Sequence, residues 1–357
     1  MHKNKILIHN EALLHNFRLV KKFNSRAKIL PMLKANAFGH GLENVARLLE
    51  SEADGLAIVR YEELLLLLEK NIKKPIVLMS NLLDFSVLTS ISASNIQITI
   101  CTKLQLNSFV KNAFYQKRVI WLKVNTGMNR LGLNIEDVEP AIILLKKSPW
   151  TKKIILITHF SDADDTKSPK TINQYESLKH IAQKHSLQMS TSNSAALLNR
   201  FNFEDDWIRP GIMLYGASPI SGKNGSFFGL SPAMTLSSYL LEVRKQRKGD
   251  KIGYSSTWVC KKDMLLGIIP IGYGDGYMRN LSGAPVWING VCCPIVGRIS
   301  MDYITVDLSE CENPKVGDYV ELWGKNLPIN EVSRYASSIP NELLTHIAPR
   351  LIERSFL

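Results

Sequence analysis

Lys34 is the residue most suggestive of chemistry in this chain. In Ile29-Leu30-Pro31-Met32-Leu33-Lys34-Ala35-Asn36-Ala37-Phe38-Gly39-His40-Gly41, a mostly apolar run ends on that lysine and the chain then turns through two glycines. Ile29 to Leu33 read as a buried strand, and Gly39 and Gly41 as a turn feeding a helical pattern that starts near Leu42. Lys34 would stand at the strand's C-terminal end. Barrel and open α/β enzymes place catalytic groups there, and desolvation lowers an amine's pKa until it can attack a carbonyl. The same position suits a lysine that only extends its ammonium to water, and this stretch alone favours neither reading.

Other polar residues fall just past apolar runs. Lys123 and Arg130 flank a strand that opens into a glycine-bearing loop, Trp121 to Gly132. His159 ends Ile154 to Thr158, Asn193-Ser194 opens a helix after Gln188 to Ser192, and Arg209 lies in Trp207-Ile208-Arg209-Pro210-Gly211-Ile212. Singly, each has a plain structural explanation: a lysine paired with a carboxylate, a hydrogen-bonded core histidine, ordinary helix caps. Together, a serine at a helix N-terminus and the Gly211-Ile212 backbone offer an anion site suited to a phosphate. An amine, a phosphate site and an arginine point to a phosphorylated aldehyde cofactor held as an imine on Lys34.

These residues need elements to hold them. A short strand at 5–9 and a helical pattern from Glu11 to Phe23 precede the Lys34 strand. Apolar runs follow near 55–59, 75–79, 96–101, 119–124, 154–160, 188–192 and 208–214, with helical spacing between them, as in 61–71, 103–114, 138–147 and 172–184. Strands alternating with helices imply parallel pairing, and eight such units imply a closed (β/α)8 barrel, with an open doubly wound sheet as the runner-up. Ser221 to Ser226 reads as a connector. Beyond it come short β-like runs at 234–243, 264–269, 286–288, 303–306 and 319–322, separated by turns such as Asn289-Gly290. The expectation is an α/β chain with a barrel over 1–225 and a mainly β C-terminal domain over 226–357. The first strand, 5–9, is a candidate partner of the C-terminal domain.

At 357 residues the chain is long enough for one large domain and a smaller one. Its net charge of +12 comes from scattered residues with only short clusters, which reads as a solvated basic surface and not a nucleic-acid face. Five cysteines without metal-site spacing fit reduced thiols, the histidines show no zinc-type pairing, and Asp162, Asp164 and Asp165 lack the rest of a calcium loop, so no metal is expected. Met1 to Lys5 lead straight into Ile6-Leu7-Ile8 without a signal-peptide core, and no run has the length of a membrane span. The expected location is the cytoplasm, with no membrane partner.

Five blocks resemble the bacterial alanine racemases, pyridoxal-phosphate enzymes of the barrel fold type. Leu33 to Gly41 resembles the family's cofactor-lysine signature and Asn125 to Gly132 its substrate-arginine loop. Arg209 to Gly216, Ile271 to Tyr277 and Val296 to Asp302 match further blocks. The resemblance runs essentially end to end, and it implies pyridoxal 5'-phosphate on Lys34 and racemisation of a small amino acid, alanine, giving D-alanine for peptidoglycan. Racemisation takes the α-proton from one face and returns one to the other, so a base must stand on each side. The resemblance makes Lys34 one base. Tyr254, in Gly253-Tyr254-Ser255-Ser256, is the other, reaching over from the second subunit of a head-to-tail homodimer.

A phenol of ordinary pKa, near ~10, is a poor base at neutral pH. The resemblance therefore gives His159 and Arg209 supporting roles, with Arg209 facing the cofactor's ring nitrogen and disfavouring transamination and decarboxylation. It places the substrate carboxylate on Arg130 and the Met301 N–H, a carbamylated lysine at Lys123, and the cofactor phosphate on Ser194, with Asn193 beside it, and the Gly211-Ile212 backbone. Tyr273, Arg279, Arg298 and Asp164 would line the substrate corridor. Two positions depart from the pattern: Phe38 and Asn341 stand where relatives carry tyrosines that bind the phosphate. Losing two donors should loosen a buried phosphate. Asn341 should also widen the space beside the substrate side chain, so a broader or serine-directed racemase is the near rival. A non-catalytic cofactor carrier is the remote one, since such proteins lack a second domain with its tyrosine. A decarboxylase would call for an acidic partner to the ring nitrogen in place of Arg209.

Overall fold

A computed structural model describes residues 3–79, 82–348, 350–351 and 354–357. By internal contacts the chain divides into two compact units, one of Arg18–Ala37 with Gly41–Gly211, the other of Met1–Phe17, Phe38–His40 and Ile212–Leu357.

The first unit is a parallel barrel. After strand β1 (Lys5–Ile8), which belongs to the other unit, its strands are β2 (Lys28–Ile29), β3 (Leu56–Ile58), β4 (Ile76–Leu78), β5 (Ile96–Ile100), β6 (Arg118–Lys123), β7 (Thr151–Ile157), β8 (Gln188–Ser190) and β9 (Trp207–Ile208). Six strands, β3 to β8, form one parallel sheet in chain order, and β2 pairs with β9. Two single bridges close the ring: Met32 to Ala57 joins β2 to β3, and Asn193 to Arg209 joins β8 to β9. All eight strands are thereby in register around one core.

That core contains Leu30, Ala57, Val77, Trp121, Ile155 and Trp207. Trp121 meets Trp207 edge to face at 5.4 Å, and its indole N–H donates to Gln97 Oε1 at 2.6 Å, so the large rings fill the interior without an orphaned donor. Near-continuous apolar strands are what a sheet covered on both faces requires. The apolar run at 208–214 is not one strand. Pro210 has no N–H to give a ladder, and beyond it Ile212–Tyr215 coil into a 3-10 turn.

The second unit is mainly antiparallel. Its six-stranded sheet runs Val291–Pro294, Pro285–Ile288, Tyr319–Trp323, Met234–Tyr239, β1, Arg354–Phe356, with only the last pair parallel. A three-stranded sheet joins Glu242–Gln246, Met264–Ile269 and Ile304–Asp307, and a small hairpin pairs Lys251–Ile252 with Trp258–Val259. The apolar run at 234–243 thus divides between two sheets. Two short helices, Ile329–Tyr335 and Pro340–Thr345, fall where no helical pattern is legible. Among the described residues, no helix is long and apolar enough to cross a membrane.

Candidate active site

Lys34 lies two residues past the Met32–Ala57 bridge that follows β2, and the chain leaves it in an unusual way. Ala35, Asn36, Ala37 and Phe38 all take positive φ, between 50° and 55°, forming a left-handed turn of four residues with side chains. Each such residue costs roughly 1–2 kcal/mol against the right-handed form, so the surroundings must impose it. They do so with hydrogen bonds. The Ala35 N–H donates to Glu63 Oε1 at 2.7 Å, and Ala37 N–H to the Leu33 carbonyl at 2.8 Å. Gly41 N–H reaches the Asn36 carbonyl at 3.0 Å, and Asn36 Oδ1 caps the next helix, Leu42–Glu50, by accepting from Leu42 N–H at 2.8 Å. Glu63 also accepts from Val59 and Arg60 N–H, both at 3.0 Å, capping the helix Tyr61–Glu69. One carboxylate therefore fixes both the lysine's turn and a helix start.

Four cations gather at this end of the barrel. Lys34 is accessible to solvent yet enclosed by protein; that enclosure lowers its pKa, Arg130 lowers it further and Glu63 opposes both. Lys123, at the end of β6, is lowered by burial, with Cys101 opposing and Arg130, Arg209 and Lys34 adding to the effect. Arg130 is carried on a loop folded back on itself. Asn125 Oδ1 accepts from Gly127 and Asn129 N–H at 3.2 and 3.0 Å, and Leu133 N–H returns to the Lys123 carbonyl at 2.8 Å. Gly132 has φ 131°, and a Cβ there would lie 2.6 Å from Asn125 N, so that position requires glycine.

Arg209 is the buried member, only 4% exposed. Its Nη1 donates to Ser190 Oγ at 2.5 Å and its Nη2 to the carbonyls of Thr158 and Thr191 at 2.6 and 3.1 Å. Burial brings its pKa down to about 10, with Asp205 pulling the other way, so it stays protonated at neutral pH. Asp205 accepts four bonds from Thr191 and Ser192, backbone and hydroxyl, at 2.5 to 3.0 Å. Burial nonetheless raises its pKa.

His159 shares this environment. Burial, then Arg209, Lys123, Arg130 and Lys34, bring its pKa to about 3, so the imidazole is neutral at physiological pH. Gln174 holds its backbone by donating to the His159 carbonyl at 3.0 Å.

Of the expected phosphate residues, Asn193 caps the short helix Ser194–Leu198 through Oδ1, and Ser194 accepts from Gly211 N–H at 2.8 Å. Asp164 is exposed on the loop after β7. Lys34, Lys123, Arg130, His159 and Arg209 are therefore brought within electrostatic range of one another. An end rich in cations, with Asn193 and Ser194 at a strand end, fits a ligand carrying a phosphate and a carboxylate.

The second unit carries the other residues. Tyr254 sits at the tip of the hairpin, in a turn where Gly253, Ser255 and Ser256 have positive φ, and it is 63% exposed. Arg298 Nη1 donates to Ser255 Oγ at 3.1 Å, tying that turn to the loop leading to Met301. Tyr273 is 40% and Met301 53% exposed. Arg279 is exposed just beyond the Tyr273 turn. Phe38 is buried and stacks on Tyr215 with ring centroids 4.8 Å apart, and Ile212 is buried at the start of the 3-10 turn. Gly39 lies against the carbonyl of Leu344, in the helix that carries Asn341, which is half-buried at its second position. Sequence reasoning missed Glu63, Asp205 and Gln174. Glu63 lies three residues after Arg60, the residue before its helix, which is the spacing of a capping box, but Arg60 is not one of the residue types that announce one, and nothing comparable flags the other two.

Two family descriptions cover the chain: alanine racemase, N-terminal domain, matches residues 8–219, and alanine racemase, C-terminal domain, residues 233–355. An alanine racemase of Actinobacillus succinogenes is 41% identical over 343 residues, 96% of each chain. The crystal structure of the biosynthetic alanine racemase from Pseudomonas aeruginosa is similar with a TM-score of 0.94, and that of alanine racemase from Acinetobacter baumannii with 0.92. Both are 32% identical, and both comparisons cover 100% of each chain.

Proposed function

The chain belongs to the alanine racemase family, and from that membership we propose that it interconverts L- and D-alanine with pyridoxal 5'-phosphate, using Lys34 and Tyr254 as opposing bases. The observation that carries this reading is the buried Arg209, held by three hydrogen bonds beside a lysine and a histidine whose pKa values burial has lowered. Pyridoxal phosphate, held on Lys34, supplies a conjugated ring that acidifies the substrate's Cα–H.

The chain's own groups would then do the following. Lys34, its pKa lowered by burial and by Arg130, holds or delivers a proton on one face of Cα. Tyr254 of the partner subunit does so on the other face, and its exposure at a hairpin tip suits a group that works outside its own chain. His159, neutral, relays hydrogen bonds to that phenol without adding charge. Arg209, a cation at neutral pH, would face the cofactor's ring nitrogen and disfavour its protonation, which would favour racemisation over reactions that need a longer-lived carbanion. Arg130 and the Met301 N–H bind the substrate carboxylate. Ser194, Asn193 and the Gly211-Ile212 backbone hold the phosphate, and Tyr273, Arg279, Arg298 and Asp164 line the approach. The lowered Lys123 pKa favours the neutral amine, the form whose lone pair can attack carbon dioxide. Carbamylation there, with loss of one proton, would place an anion beside Arg130. The enzyme would work in the cytoplasm as a head-to-tail homodimer and feed D-alanine to peptidoglycan.

A second reading concerns specificity. Asn341 presents a small amide where a tyrosine ring is usual, and Phe38 offers no hydroxyl, so serine would be accepted beside alanine and cofactor retention would be weaker.

Initial rates with L-alanine and L-serine, with and without added pyridoxal phosphate, test both readings. Alanine racemisation abolished by Lys34→Ala is expected. Comparable kcat/KM for serine, reduced by Asn341→Tyr, would establish the broader specificity. Turnover of neither substrate would overturn the reading in favour of a cofactor carrier. Mixing inactive Lys34→Ala and Tyr254→Phe chains should restore about a quarter of the wild-type rate if sites are shared between subunits, because half the dimers then hold one intact site of two. No recovery, with exchange of subunits verified, would place both bases in one chain.

A further inference from the structure

The segment Gly272-Tyr273-Gly274-Asp275-Gly276 has a glycine at every second position, and each makes room for a different piece of backbone or side chain. A Cβ on Gly272 would lie 2.3 Å from the Ser300 carbonyl oxygen, one on Gly274 2.6 Å from Arg350 Nη2, and one on Gly276 2.2 Å from the His346 carbonyl oxygen. The turn is thus wedged between the 300–302 loop and the 346–350 segment.

Hydrogen bonds fix the same three pieces. Tyr273 N–H donates to the Ser300 carbonyl at 3.1 Å and Gly274 N–H to the Met301 carbonyl at 2.9 Å. Arg350 spans all of it. Its Nε donates to Asp275 Oδ1 at 2.7 Å, and its Nη2 both pairs with Asp302 Oδ1 at 2.9 Å and reaches the Met301 carbonyl at 3.2 Å. Asp275 is buried, and its second oxygen accepts from Gly272 N–H at 2.9 Å, so the anchor for Arg350 is itself fixed.

A peptide group is planar and trans, so its carbonyl and its N–H point in opposite directions. Holding the Ser300 carbonyl toward Tyr273 therefore turns the Met301 N–H away from the turn. Holding the Met301 carbonyl, through Gly274 and Arg350, locks the next peptide as well. We propose that Arg350 is a positioning residue for substrate binding: by holding the Met301 carbonyl and Asp302 against Asp275 of the turn whose Tyr273 N–H fixes the Ser300 carbonyl, it aims the Met301 N–H at the substrate carboxylate. This rests on the racemase reading and on the role given there to Met301.

The test compares holoenzyme of wild type, Arg350→Ala, Arg350→Lys and Asp302→Asn. A misaimed carboxylate donor weakens substrate binding with little change in the proton-transferring groups. Arg350→Ala should therefore raise KM for L-alanine about tenfold, the equivalent of one charge-assisted hydrogen bond, with kcat changed less than about threefold. The lysine variant should recover part of the loss, and the cofactor's absorbance should be unchanged. Asp302→Asn, which removes one exposed anchor and leaves Asp275 in place, should raise KM about two- to threefold. It decides the matter if Arg350→Ala does not fold. KM within experimental error of wild type in the folded variants would overturn the proposal, as would equal losses in KM and kcat tracking a lowered unfolding midpoint. An inactive wild type would instead overturn the racemase reading itself.

Discussion

The two units build functional groups by opposite means. The barrel gathers Lys34, Lys123, His159 and Arg209 where burial changes what each group is: an amine that ionises less readily, a histidine that stays neutral, an arginine brought down to about 10. The C-terminal unit leaves Tyr254, Tyr273 and Met301 substantially exposed and spends its structure on aim, through positive-φ turns and glycines that admit a neighbouring backbone. Burial perturbs a group only where the fold already encloses it. Groups offered at hairpin tips and loops are suited to a site completed from outside their own chain. Mutations should therefore cost stability in the barrel and mainly function in the C-terminal unit.

The sharpest form of that contrast pairs Arg209 with Tyr254. Arg209→Met removes a buried cation and leaves Ser190 Oγ and the Thr158 and Thr191 carbonyls without their donor, at a cost of about 3 kcal/mol. Tyr254→Phe removes a hydroxyl from a largely exposed side chain and should change stability by no more than about 0.5 kcal/mol. Urea titrations of both variants measure this. Equal stability of the two single variants would erase the distinction between the units.

Glu63 gives a smaller and more local effect. Glu63→Ala leaves the Ala35, Val59 and Arg60 N–H groups without their acceptor and releases the strained turn after Lys34, at an expected cost of about 2 kcal/mol. Because the turn places the reactive amine, activity should fall further than the folded fraction does. Ala35→Gly in the wild-type background tests the strain directly. Glycine takes positive φ freely, so stability should rise by up to about 1 kcal/mol while racemisation does not improve. A loss of stability on Ala35→Gly would mean that the turn is not strained.

What was legible in the sequence follows the same divide. Parallel strands covered on both faces are near-continuously apolar, so the barrel runs stand out, and polar residues just past them mark the proposed catalytic end. Lys34, Lys123, Arg130, His159 and Arg209 were all visible for that reason. The left-handed turn was not, because Ala35, Asn36, Ala37 and Phe38 carry no glycine to announce it; contacts made elsewhere in the chain, Glu63 above all, impose it. Asp205 and Arg350 were hidden for a related reason. Each acts through partners on other elements: Asp205 is one of three successive acids that read alike in the sequence, and nothing near Arg350 points to Asp275 or Asp302. In the C-terminal unit the turn glycines were legible, but which neighbour each one admits is a tertiary fact. The break at Leu240-Leu241, which sends one apolar run into two sheets, leaves no mark in composition.

The smallest expected effect is a change in slope. An ordinary histidine has a pKa of 6.5, whereas folding lowers that of His159 to about 3. Between those values the unfolded chain binds a proton at this site and the native chain does not, so the linkage relation makes stability increase with pH through that window. Acidification below 6.5 should therefore destabilise the protein in part through His159. Carboxylates held below their ordinary range, such as Glu43 and Glu52, push the same way in their own lower window, so the wild-type curve alone cannot isolate the histidine. The difference between wild type and His159→Asn can: unfolding midpoints in urea from pH 7 down to pH 5 should fall less steeply in the variant, by at most one proton's worth of slope. Parallel curves would mean that His159 titrates in the native protein as it does in the unfolded one. In that event the barrel's capacity to alter its groups would stop at the lysines and Arg209, and a charged imidazole would have to be accommodated among four cations.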